Sequence, residues 1–247
     1  MIKEKGDPAV VKQLAATLGI SESLANLMVQ RNITTREEAI TFFEPDLRYL
    51  HDPFLMKDMN IAVERISTAI KKNERILVYG DYDVDGTTAV ALMYSFLKEL
   101  YSNVDYYIPD RYKEGYGVSF QGIDFAFQNN CRLMITLDCG IKAVEKVKYA
   151  RTKGIDVIVC DHHYPGDEIP KSAAVLDPKQ PGCNYPYKEL SGCGVGFKLI
   201  HAYSRVHGIP FSRIAGYLDL VAVSIASDIV PLTGENRVLA YFGLKQL

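Results

Sequence analysis

The stretch Ile76-Leu77-Val78-Tyr79-Gly80-Asp81-Tyr82-Asp83-Val84-Asp85-Gly86 decides how this chain is read. An apolar run leads directly into three aspartates at alternate positions, the pattern of a strand that delivers clustered carboxylates into a loop. Carboxylates a few ångströms apart raise one another's pKa unless a cation neutralises them, so a divalent metal is the first expectation. The same letters open a calcium loop, Asp-x-Asp-x-Asp-Gly, which needs a bidentate Glu at its twelfth position. Counted from Asp81, that position is Leu92, inside the helical run Thr87 to Met93, and the calcium reading is set aside.

Outward from this stretch, short β-branched runs alternate with helical ones. Ile76 to Tyr79, Val104 to Ile108, Leu133 to Leu137 and Asp156 to Cys160 read as strands. Thr87 to Leu100, Gly122 to Gln128 and the region from Ala143 to Lys153 read as helices. This alternation predicts an α/β fold with a doubly wound, mainly parallel sheet. Gly194 to His207 and Phe211 to Ser227 add two helices, the second apolar almost all round and therefore expected to be buried. Met59 to Lys71 places Ile61, Val63, Ile66 and Ile70 for one buried face. The first fifty residues hold three short helical patterns, at Ala9 to Ala15, Ser21 to Val29 and Thr35 to Phe43, with Thr34 or Thr35 as N-cap of the third. The expected organisation is a helical N-terminal lead-in over 1–50 and an α/β domain over 51–247.

A hydrophobic share of 48% with 23% charged residues argues against disorder. The net charge of −2 supplies no global basic field, so a nucleic-acid partner must be held by local Lys and Arg and by bound metal. Five cysteines form an odd set with no Cys-x-x-Cys pair and read as reduced thiols. A zinc site from Cys183, Cys193, His201 and His207 has a spacing that fits no common zinc module. The start does not resemble a signal peptide, and no apolar stretch reaches the roughly 20 residues of a spanning helix, so a cytoplasmic location is expected.

In an open parallel sheet, ligands bind outside the carboxyl ends of the strands. Three strand ends here carry metal-type residues: Asp81, Asp83 and Asp85; then Asp138-Cys139-Gly140; then Asp161-His162-His163. A lone Asp138 would read equally well as a helix cap, but three such ends in adjacent β-α units are not accidental. A fourth acid, Asp228, follows the apolar run Leu218 to Ser227, where an unpaired carboxylate is costly to bury; its plain alternative is a water-exposed acid at a helix end. Oxygen-rich ligands with one or two imidazoles suit Mn²⁺ or Mg²⁺, and a shared carboxylate gives a two-metal phosphoryl-transfer centre. The glycine-rich Ser191-Gly192-Cys193-Gly194-Val195-Gly196-Phe197-Lys198 does not follow a clear strand in the dinucleotide-binding arrangement and reads as a tight helix entry, with Lys198 free to face a phosphate.

Taken together, Asp81-x-Asp83-x-Asp85-Gly86, Asp138, Asp161-His162-His163 and Asp228 resemble the four motifs of the DHH phosphoesterase superfamily. Within it, Gly80 to Gly86, Pro109-Asp110-Arg111-Tyr112-Lys113-Glu114-Gly115-Tyr116-Gly117 and Ser227-Asp228-Ile229-Val230-Pro231-Leu232 resemble the RecJ family of single-strand-specific DNA exonucleases. The likeness runs from the helical lead-in to the last residue. It implies 5′→3′ hydrolysis of single-stranded DNA to 5′-mononucleotides, in repair and recombination, with two ions of Mn²⁺ or Mg²⁺. By the same resemblance, Asp83 and Asp138 would hold one ion, and Asp85, Asp138, His162 and Asp228 the other. His163 would contact the scissile phosphate, Asp161 would orient an imidazole, and Arg111, a surface cation on its own, would read a terminal 5′ phosphate. Tyr112 or Tyr116 could stack on a base. The superfamily's His four residues before Asp83 is Tyr79 here, which leaves Asp81 or water to substitute at the first ion. The partners implied are single-stranded DNA and a helicase or single-strand-binding protein, with the enzyme a monomer. Family members are longer, carrying a clamp domain and an oligonucleotide-binding barrel, so an excised catalytic domain is expected. The rival readings are a DHH phosphodiesterase acting on oligoribonucleotides or cyclic dinucleotides, which shares the metal residues, and an inactive scaffold, which would be expected to lose them.

Overall fold

Among the described residues, the N-terminal unit, which ends at Leu50, holds three α-helices and a 3₁₀ turn at Leu47–Tyr49, and the ends of the helices follow from local chemistry. The computed structural model describes residues 4–247. Helix α1 (Pro8–Leu18) starts where the Asp7 side chain accepts from the N–H groups of Ala9 and Val10, and closes on Gly19 at φ 66°. Ser21 caps α2 (Glu22–Val29), and Thr35 with Glu38 forms a reciprocal capping box on α3 (Arg36–Phe43). Val11, Leu14, Ala25, Met28, Ile33 and Ala39 form this unit's core.

The second unit begins at His51. Its elements are α4 (Met59–Lys71), β1 (Arg75–Gly80), α5 (Val84–Leu100), β2 (Val104–Tyr107), α6 (Phe120–Gln128), β3 (Cys131–Leu137), α7 (Val144–Thr152), β4 (Asp156–Cys160) and β5 (Ala174–Leu176). They are followed by α8 (Gly192–Val206), α9 (Phe211–Ile214), α10 (Leu218–Ser227) and α11 (Gly234–Gly243). The five strands are parallel in the order β2-β1-β3-β4-β5, the doubly wound sheet expected from the β/α alternation. Alternate strand residues Leu77, Tyr79, Met134, Val157 and Val159 pack with Ile123 and Ala126 of α6 and with Val147 and Ala150 of α7. Helices α4, α5 and α8 cover the other face, and α10 and α11 form an outer layer behind them.

Several local expectations change. Helix α5 starts at Val84 rather than Thr87, so Asp83 is its N-cap and Asp85 lies in its first turn instead of in a loop. The Asp83 carboxylate accepts from the Gly86 N–H, satisfying one of the donors that a helix start leaves orphaned. The run Phe211 to Ser227 is not one helix: a 3₁₀ turn at Ala215–Tyr217 separates α9 from α10, with the poor helix former Gly216 at its centre. Nor is α10 buried all round, since Ala226 and Ser227 are exposed. Strand β5, three residues long, is too short for its periodicity to show. All five cysteines are buried free thiols. No described helix is long and apolar enough to cross a membrane.

Candidate metal centre

The strand register lines up the acids. Gly80 pairs with Leu137, Leu137 with Cys160 and Cys160 with Leu176, so the residues that follow, Asp81, Asp138, Asp161 and Asp177, emerge in one row at the carboxyl edge. Two backbone bonds extend that row, from Asp138 N–H to the Cys160 carbonyl and from Asp161 N–H to the Leu176 carbonyl, 2.9 and 3.0 Å. The chain passes from β1 outward to β2 and then returns to β3 on the other side, and a sheet of this kind opens its ligand crevice at that reversal. Asp81 and Asp138 flank it.

The glycines of the first motif serve close approach. A Cβ on Gly86 would collide with the Asp81 backbone, and one on Gly80 would meet Val90 and the Gly86 carbonyl, so only glycine lets the first turn of α5 abut the end of β1. Asp138 adopts the left-handed conformation at φ 58°, which aspartate tolerates better than most residues. A Cβ on Gly192 would strike Asp138, so α8 also begins against this residue.

At the centre stands His162, 5% exposed, with neither ring nitrogen hydrogen-bonded to protein. Its Nε2 lies 3.2 Å from Asp138 Oδ1, 3.6 Å from Asp228 Oδ2 and 3.8 Å from Asp85 Oδ2. Asp138 Oδ1 and Asp81 Oδ2 are likewise buried without a partner. Burial, reinforced by the charges of Asp85, Asp83 and Asp161, pushes the Asp138 carboxyl up to about 10. Burial also raises Asp81 and Asp85, the latter against the opposing pull of His162 and of its hydrogen bonds. A set of orphaned oxygens and an orphaned imidazole nitrogen facing one another fits a divalent cation that takes O and N ligands.

His163 is held differently. Its Nδ1 lies 2.7 Å from Asp161 Oδ1, and its Nε2 lies 3.0 Å from the Tyr116 hydroxyl. Asp161 also accepts the N–H groups of His162, His163 and Ile141. Although burial pushes Asp161 up, the His163 hydrogen bond and charge outweigh it and hold the carboxyl low; in return Asp161 raises His163.

The structure thus brings Asp85, Asp138, His162 and Asp228 together, with His163 adjoining Asp138 and His162 as a second metal-competent group. Asp83 stands outside both groups: it is exposed, and one of its oxygens is committed to the helix cap. Asp228 is no buried acid, since its side chain is 31% exposed at the rim. Tyr79 spends its hydroxyl on the loop opposite, donating to the Gly117 carbonyl and accepting the Ser119 N–H. Arg111 lies on the Tyr82 ring, 5.3 Å from its centroid, in a loop whose Glu114 accepts from Tyr107, Ser119 and the Asp110 N–H. Tyr112 is 94% exposed, whereas the Tyr116 hydroxyl is engaged with His163. Lys198 does not face a phosphate; it is fully buried in an ion pair with Glu235. Cys183, Cys193, His201 and His207 form no metal-competent group among the described residues.

Asp177 escapes a reading of the sequence because β5 does. It is fully buried, Oδ2 lacks a partner, and burial raises its carboxyl to about 7. The signal available is an acid following Ala174-Val175-Leu176, the same apolar-run-then-Asp pattern seen at the other strand ends.

The model of the DHH family, N-terminal domain, matches residues 75–225. The chain therefore belongs to the DHH family. Among its relatives is the single-stranded-DNA-specific exonuclease RecJ of Bacillus subtilis, 44% identical over 244 residues, a match that takes in 99% of this chain and 30% of that protein. RecJ of Thermus thermophilus is 32% identical over 237 residues, covering 96% of this chain and 33% of the relative. The crystal structure of RecJ in complex with Mn²⁺ from Thermus thermophilus aligns at a TM-score of 0.80 and 29% identity, over 98% of this chain and 34% of that one. An exonuclease RecJ bound to manganese aligns at 0.72 and 34% identity, over 81% of this chain and 49% of the other. The chain spans about a third of the length of these curated relatives.

Proposed function

We propose that residues 51–247 form the catalytic DHH domain of a metal-dependent exonuclease that hydrolyses single-stranded DNA from its 5′ end to 5′-mononucleotides, with residues 1–50 as a helical lead-in. The observation that carries this reading is His162, whose two nitrogens lack protein partners while three carboxylates gather within 3.8 Å of Nε2. Asp85, Asp138, His162 and Asp228 would hold one Mn²⁺ or Mg²⁺, and Asp138 with Asp83 would hold a second. When bound, the ions supply positive charge beside the phosphodiester oxygens and lower the pKa of water.

The chain's own residues do the rest. Asp161 fixes the His163 ring and favours its protonated form, so that Nε2 can donate to a non-bridging phosphate oxygen once Tyr116 yields. The Arg111 guanidinium, parked over Tyr82 beside the first motif, suits bidentate contact with a terminal 5′ phosphate. The short parallel strands and the glycines at 80, 86 and 192 keep the acids close enough that they can ionise together only when a cation offsets their repulsion. The relatives named above are single-stranded-DNA-specific exonucleases, which supports DNA over a cyclic dinucleotide as substrate. The reading places the protein in the cytoplasm, as a monomer that takes strands exposed by a helicase or held by a single-strand-binding protein. The test is hydrolysis of strands labelled at either end, with and without Mn²⁺. Manganese-dependent release of 5′-mononucleotides from the 5′ end supports the reading; attack only on cyclic dinucleotides or short oligoribonucleotides replaces it.

A further inference from the structure

Of the three acids that face His162, Asp85 is the one with hydrogen bonds on both carboxylate oxygens. Oδ2 accepts the Gly192 N–H at 2.7 Å, and Oδ1 accepts the Cys193 N–H at 2.8 Å and the Ser224 hydroxyl at 2.7 Å. The first two donors are the opening amides of α8, which is why a glycine-rich helix entry sits here: it receives a carboxylate from within the protein. The third donor comes from a different helix, α10.

Ser224 is fully buried and makes a second contact, 2.6 Å to the Ser191 hydroxyl. Ser191 in turn accepts the Gly194 N–H at 3.1 Å. Each hydroxyl has one proton to give, and an ionised Asp85 has none. The direction of the chain is thereby fixed: Gly194 N–H to Ser191, Ser191 to Ser224, Ser224 to Asp85. Ser224 also lies four residues before Asp228, one turn away on the same helix face, and its carbonyl accepts the Asp228 N–H at 3.0 Å. The Ser224 side chain thus bears on the orientation of Asp85 and, by tying α10 to Asp85 and Ser191, on the position of the helix that carries Asp228 to within 3.6 Å of the His162 ring.

We propose that Ser224, relayed through Ser191, is a positioning residue of the metal centre, holding Asp85 and Asp228 in the arrangement that receives a divalent cation. This inference rests on the metal-centre reading above. Partners that orient a ligand without touching the metal are generally worth about 10–100-fold in metal affinity. The test is calorimetric titration of Mn²⁺ into the wild-type chain, Ser224→Ala and Ser224→Cys, alongside melting of each without metal. We expect Ser224→Ala to bind Mn²⁺ at least about tenfold more weakly, with Ser224→Cys, which keeps the size but donates poorly, also weakened and melting close to wild type. A role in packing alone would leave the affinity of the Cys variant unchanged. Wild-type affinity in Ser224→Cys, or in a folded Ser224→Ala, overturns the inference while leaving the metal centre standing. A wild-type chain that takes up no Mn²⁺ overturns the metal centre and this role with it. Should Ser224→Ala not fold, the Cys variant decides alone.

Discussion

Replacing Asp138 with Asn should stabilise the metal-free fold and remove its response to metal. Asp138 is 2% exposed with an unpartnered oxygen, and its carboxyl is pushed from 3.8 to about 10. In the metal-free fold at pH 8 the group stays protonated, whereas in the unfolded chain it ionises. A folded-state pKa above the unfolded one contributes stability that is complete below pH 3.8 and is lost as pH rises toward 10. At pH 8, about four units above the unfolded value, the loss has an upper bound near 6 kcal/mol at about 1.36 kcal/mol per unit. Water entering the cluster relaxes part of this, leaving about 2–4 kcal/mol as the expected gain for a neutral amide of the same shape. For a chain of this size that corresponds to roughly 5–12 °C in melting temperature. Differential scanning calorimetry at pH 8 in chelator, then with Mn²⁺, reads both effects, and the gain should shrink as the pH is lowered toward 5. An Asp138→Asn variant that melts below wild type in chelator, or that still gains stability from Mn²⁺, refutes the reasoning.

Four further outcomes are expected. Gly192→Ala drives a methyl group into Asp138 and should destabilise the fold by about 1–3 kcal/mol in urea unfolding, with weakened Mn²⁺ uptake. Lys198→Met leaves Glu235 buried without its cation and should cost about 3–5 kcal/mol, most of it recovered in the double variant with Glu235→Leu. Arg111→Ala should weaken binding of 5′-phosphorylated strands by about 10–100-fold, the range for charge-assisted hydrogen bonds of roughly 1.5–3 kcal/mol, and leave 5′-hydroxyl strands unaffected. Asp161→Asn removes the negative charge that, together with its hydrogen bond, raises His163, so the alkaline limb of the pH–rate profile, where His163 loses its proton, should move to lower pH.

Much of the fold is legible in the sequence because the cores of β1, β3 and β4 are apolar runs and an Asp follows each of them, at 81, 138 and 161. The span of α4 matches its apolar periodicity, and the N-cap Thr35 follows from short-range hydrogen bonding that a single sequence carries in full. What stays hidden depends on contacts far apart in the chain. The break at Gly216 and the three-residue β5 leave no periodic trace. Ser224 looks like one more small residue in an apolar helix until α10 is laid against α5, 139 residues away in sequence. Asp228 reads from its apolar surroundings as a buried acid, yet it sits at the rim, because the helix end that carries it faces water. The glycines of the first motif can be located but not explained from sequence, since the need for them arises only when α5 meets β1.

The central claim is that residues from four separate segments converge on one divalent cation. Crystals grown with Mn²⁺ and measured at the manganese absorption edge test it directly. The account predicts an anomalous peak coordinated by His162 Nε2 and by carboxylate oxygens of Asp85, Asp138 and Asp228. Manganese bound elsewhere, with His162 still unligated among these three acids, would contradict it.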